Sequence, residues 1–249
     1  MSRDLFLNGL NGETPVKVLD GELLKHKIYW SFNIVSVSDE MDVWEGCAFD
    51  QRSHCLSDIF FYVSEENFDG ENVLHELLKS PIICGLPYLV NPGKSFVTKV
   101  ASDCKYLSRD GRYLLCMSSD DARCNAEDFL RLKIHDRLSM TFINGSHRGF
   151  ILTDPFRSLV RFAGFDEEID ADRPVDLSKF LDEFLGYFDL MDLTAWDEIE
   201  NRSPRIESKL RFIRNGLREA DLLTEPIYAL QEQCERLLSE YYDENQKEQ

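Results

Sequence analysis

The spacing of apolar residues changes once along this chain, near residue 165, and that change limits the fold more than any single motif. Before it the texture is one of strands and turns. KIYWSFNIVSV (27 to 37) alternates around Tyr29, Ser31, Asn33 and Val35, and DIFFYVS (58 to 64) is a short aromatic run. SRDGRYLLCM (108 to 117) sets Asp110 and Gly111 before an apolar segment, and LSMTFINGSHRGFILTD (138 to 154) reads as two strands joined through Asn144 and Gly145. One helix interrupts this pattern at ENVLHELLKS (71 to 80), where Val73, Leu74, Leu77 and Leu78 share a face and Pro81 ends the run. A second, weaker helix or turn is expected over NAEDFLRLK (125 to 133).

From Pro174 onward the period is helical. Leu177, Phe180, Leu181, Phe184, Leu185 and Phe188 recur on one face, with Asp176 placed to cap the start. A second helix is expected over 203 to 223, with Ser203 as cap and Pro204 as its first residue, and a third from Pro226 to about Tyr242. The expected class is therefore α+β: an antiparallel β-rich part over residues 1–164, then an acidic, helical part of about three helices over 165–249. A chain of 249 residues with 43% apolar content and 17 Phe has enough material for a sizeable core.

Charge is as local as periodicity. Residues 165 to 200 carry thirteen Asp and Glu against only Arg173 and Lys179, a net of −11 within a chain whose total is −18. The helix that follows inverts the sign with Arg202, Arg205, Lys209, Arg211, Arg214 and Arg218. An acidic field attracts cationic surfaces and repels phosphate backbones, so nucleic acid is an unfavoured partner and a basic protein a favoured one. Either the acidic and basic helices neutralise each other, or part of the acidic surface stays open to that partner. In the second case Asp189, Asp192, Asp197 and Glu198 supply the charge and Trp196 an aromatic anchor.

Catalytic motifs fail one by one. NPGKS (91 to 95) ends like a phosphate-binding loop, but Tyr88 stands where the motif requires its first glycine. Cys47, His54 and Cys55, with His75 and Cys84 downstream, lack the paired spacing of a zinc site. Asp166, Glu167, Glu168, Asp170 and Asp172 lack the glycine and terminal glutamate of an EF-hand loop and read as a charged linker. Glu207 and Lys209 have the Glu-x-Lys form of metal-dependent nucleases, yet no upstream strand aspartate accompanies them. No metal and no cofactor is expected.

Three function classes remain. The favoured one is a non-enzymatic interaction protein, such as an inhibitor or immunity-type protein that neutralises a cationic toxin or nuclease. The alternatives are an enzyme with its site near His147, Arg148 and Asp154, and a subunit of a larger assembly. Seven cysteines, an odd number without a CxxC, fit reduced thiols. With no secretory signal and no long apolar run, a cytoplasmic location without membrane insertion is expected.

Overall fold

The computed structural model describes residues 5–9, 12–21, 23, 29–31, 46–63, 66–90, 97–99, 103–118, 128–158, 177–190, 193–218 and 225–243. Its architecture is α+β, a mostly antiparallel β-rich part followed by helices. Two compact units divide the chain, Met1–Thr153 and Asp154–Gln249. The expected boundary at 164/165 lies outside the described residues, as does the acidic linker at 166–172.

The first unit contains β1 (Leu5–Gly9), β2 (Gly12–Asp20), β3 (Tyr29–Ser31), β4 (Gly46–Phe49), β5 (Leu56–Tyr62), α1 (Glu71–Lys79), β6 (Ile82–Leu89), β7 (Val97–Lys99), β8 (Cys104–Leu107), β9 (Tyr113–Met117), β10 (Phe129–Lys133), β11 (Leu138–Ile143) and β12 (Ser146–Thr153). A small sheet orders its strands β3-β5-β4-β7. The large sheet runs β1-β2-β6-β10-β11-β12-β9-β8, and β1 also pairs with β12, so six of its strands close into a ring. Two of the ring's pairings are parallel, β6 with β10 and β1 with β12.

Register explains how the sequence fills both faces. Residues directly opposite on neighbouring strands project to the same side. One row therefore crosses the sheet through Leu132, Met140, Phe150, Cys116 and Lys105. The opposite face packs Cys104, Leu115, Met117, Ile143 and Ile151 against Leu74 and Leu77 of α1. That helix starts where Gly70 passes so close to Tyr106 that a Cβ would stand 2.6 Å from the tyrosine Cβ. It stops at Ser80, whose hydroxyl donates to the Leu77 carbonyl at 2.7 Å, just before Pro81.

The β11–β12 turn follows the sequence expectation: Asn144 and Gly145 both take positive φ, 52° and 83°, as a two-residue hairpin of this kind requires. The expectation of a helix or turn over 125–133 does not hold for its described part, because Phe129–Lys133 is β10. Leu130 and Leu132 alternate inward there, and pairing to β6 and β11 satisfies the backbone on both sides. Of KIYWSFNIVSV only Tyr29–Ser31 is described, as β3, and NPGKS lies outside the described residues.

The second unit opens with a short 3-10 turn, Pro155–Ser158, and a second one, Ser178–Phe180, leads into α2 (Leu181–Asp189). After it come α3 (Leu193–Glu200), α4 (Pro204–Arg218) and α5 (Glu225–Tyr241). The short helix α3 is an element beyond the three segments read from periodicity. Asp176, expected as a cap, lies outside the described residues. Phe184 and Phe188 are buried as the apolar stripe requires, and Tyr187 joins them. Ile206, Leu210, Ile213 and Leu217 form the buried stripe of α4. Phe184 stacks on Phe156, with ring centroids 4.7 Å apart, and α2 meets α4 where Gly186 faces Ile213 and Lys209.

Candidate interaction surface

A tight corner between α3 and α4 builds the best-defined part of the acidic surface. Arg202 takes the left-handed conformation (φ 55°) just after α3, its N–H donates to the Ile199 carbonyl at 2.9 Å, and the Ser203 N–H donates to the Glu198 carbonyl at 2.9 Å. This is the Schellman arrangement, here with arginine where glycine is usual. It turns the chain so that Arg205, in the first turn of α4, comes back over Glu198. Arg205 donates from Nε at 3.0 Å and from a terminal nitrogen as well, and the Ser203 hydroxyl adds a third bond at 3.0 Å. The Arg205 hydrogen bond, then that from Ser203, holds the Glu198 carboxyl below the usual carboxylate range.

Asp189 ends α2, where a negative charge opposes the helix dipole, and Lys209 of α4 approaches it at 3.5 Å. Arg211 bridges Glu207 at 2.8 Å and Asp243 at 2.7 Å, and Arg218 reaches Glu235 of α5 at 3.0 Å. Four cations of the basic helix are thus committed to carboxylates of the same unit. Glu207 and Lys209 turn to different partners, Arg211 and Asp189, and form no joint ligand pair.

The sequence-derived residues separate accordingly. Asp189 and Glu198 are ion-paired, Asp197 is exposed on α3 with its backbone carbonyl accepting from Asn201, and Trp196 lies one residue before it. Asp192 lies outside the described residues. Asp182 is exposed at the start of α2, as its place on the outer face implies. One residue not singled out from the sequence is Phe212, 63% exposed on α4. Its position between Ile213 and Arg211, off the stripe of Ile206, Leu210, Ile213 and Leu217, is the signal that marks it.

The enzyme alternative draws on His147, Arg148 and Asp154. His147 belongs to β12 and is 2% exposed, its ring against Phe142 and Phe150 with centroids 5.5 and 4.9 Å away. Burial pulls its pKa down to about 4, so the imidazole is neutral at physiological pH. Among the described residues, no three His, Cys, Asp or Glu side chains converge as metal ligands, and no helix is long and apolar enough to cross a membrane. Comparison with protein-family models, characterised proteins and solved structures finds no match.

Proposed function

We propose that this chain is a non-enzymatic interaction protein whose helical unit offers an acidic surface to a basic protein partner. The net charge of −11 over residues 165 to 200 carries this reading. The pairs at Asp189 and Glu198 are compatible with it. Arg205 and Asp189 are 65% and 71% exposed, Glu198 and Lys209 37% and 30%, and ion pairs so open on one side contribute little, so a partner's arginine or lysine can take the place of Lys209 or Arg205 at small cost. Asp182 and Asp197 supply charge at exposed positions. A cationic toxin or nuclease is the kind of partner such a surface suits, which would make the chain an inhibitor or immunity-type protein.

Affinity capture with the purified protein identifies the partner, and stopped-flow association at several salt concentrations tests the surface. Neutralising Asp189, Asp192, Asp197 and Glu198 together slows association and flattens its salt dependence, because the steering field is screened over about 8–10 Å near physiological ionic strength. Trp196→Ala mainly speeds dissociation if that ring anchors the complex. A quadruple variant that binds at the wild-type rate with the wild-type salt slope removes the support for this function. Recovery of several proteins in fixed ratio would instead favour a subunit of an assembly.

A further inference from the structure

The β-rich unit contains a half-buried guanidinium that, among the described residues, has no carboxylate partner. Arg131 on β10 stands directly opposite Thr141 on β11, so both side chains leave the same face of the sheet with Cβ atoms roughly 4.5–5.5 Å apart. A terminal nitrogen of Arg131 donates to the Leu78 carbonyl in the last turn of α1 at 2.8 Å. The Nε of Arg131 is enclosed and meets no acceptor among the described residues. The Oγ1 of Thr141, a residue with 0% exposure, is likewise enclosed and meets no hydrogen-bonding group among the described residues. Across the sheet from Thr141 on its other side stands Gly149, which brings no side-chain donor or acceptor.

The enclosed Thr141 hydroxyl directly opposite distinguishes Arg131 among the described arginines of this chain. The chain has 46 Asp and Glu for 28 Lys and Arg, so carboxylates are not scarce. Enclosed hydrogen-bonding groups left unmatched destabilise a fold, and more so when the group is charged. The Nε–H can only donate, and a threonine hydroxyl can donate beside it. One enclosed acceptor between the two residues would satisfy both groups, and a negatively charged one would also balance the guanidinium.

We propose that Arg131 Nε and Thr141 Oγ1 form a binding site for a small monatomic anion, chloride under ordinary conditions. Because both donors are enclosed, the site suits a single dehydrated ion better than a carboxylate or phosphate attached to a larger molecule. A water molecule in the same place would leave the guanidinium charge uncompensated. Burial lowers the Arg131 pKa, consistent with a cation drawn partly out of solvent, while Tyr113 opposes that shift. The site is independent of the acidic helical surface.

The test uses the full chain, melted in sodium chloride and in sodium gluconate at equal ionic strength. Chloride raises the melting temperature, and at tenfold excess over its Kd it shifts the folding equilibrium about elevenfold. Bromide substitutes for it. Thr141→Val, which keeps the shape and removes the hydroxyl, loses the chloride-dependent increment, whereas Thr141→Ser retains it. Crystals grown in bromide show an anomalous peak bonded to both Arg131 and Thr141, a measurement that stands even if Thr141→Val does not fold. Equal melting in the two salts, or bromide crystals with no anomalous signal at this position, would overturn the proposal.

Discussion

The five buried polar or charged residues described, Lys105, Ser108, Thr141, Ser146 and His147, all belong to the β-rich unit, whereas the helical unit keeps its ion pairs at the surface, around Glu198, Asp189, Glu207 and Glu235. Strands β9, β11 and β12 are buried along nearly their whole length and so enclose most of the polar groups they carry. A helix with one apolar stripe turns its charges outward. The two units should therefore respond to different variables, the first to protonation and packing of its interior, the second to loss of apolar volume but little to loss of charge.

The largest effect expected is on the apolar side of this contrast. Phe184 is 1% exposed and stacked on Phe156, so Phe184→Ala should destabilise the helical unit by about 3–5 kcal/mol in denaturant unfolding. A wild-type midpoint would mean that the helices do not rest on that ring.

Next comes a pH effect in the β-rich unit. His147 has a folded pKa of about 4 against an ordinary value of 6.5, so the unfolded chain binds more protons between those values and stability falls as pH drops through that window. Above pH 6.5 the contribution is fully present, and its total is roughly 3 kcal/mol at 1.36 kcal/mol per unit. Denaturation curves at a series of pH values should show a shallower acid slope for His147→Phe than for wild type. Identical slopes would place the acid sensitivity elsewhere.

Charge removal in the helical unit should do far less. Glu198→Gln removes the negative charge that faces Arg205 and should lower stability only slightly, with the difference shrinking as salt is added. The smallest effect belongs to Asp182→Asn on the outer face of α2, expected within about 0.5 kcal/mol of wild type by thermal melting. A loss of several kcal/mol from either substitution would show that surface charge supports the helical unit after all.

The contrast between units also separates what the sequence disclosed from what it did not. Local signals held where a few adjacent residues decide the outcome: Asn144-Gly145 in a hairpin, Pro81 after α1, Pro204 at the start of α4, and Phe184 and Phe188 on one helix face. The segment 125–133 misled because Phe129, Leu130 and Leu132 are too few to separate a strand from a helix, and pairing to β6 and β11, remote in sequence, settles the matter. Helix α3 escaped notice because its short acidic run, LTAWDEIE, shows little periodicity. The commitment of Glu198 to Arg205 depends on a left-handed arginine that composition does not announce. Nothing local marks Lys105 for burial either, since its place at the end of an apolar row follows from register.

The closed ring of strands has a consequence for synthesis. Its last seam joins Phe6 to Ser146, with the Phe6 N–H donating to the Gly145 carbonyl at 2.9 Å. A chain made from its N-terminus therefore exposes one edge of β1 until nearly the whole β-rich unit has left the ribosome. Contacts so distant in sequence form late and slowly, because the intervening loop must first be ordered. Until then β1 is an open template for strands of other chains, and the risk of misassembly is concentrated in the interval between translation of residue 6 and that of residue 146.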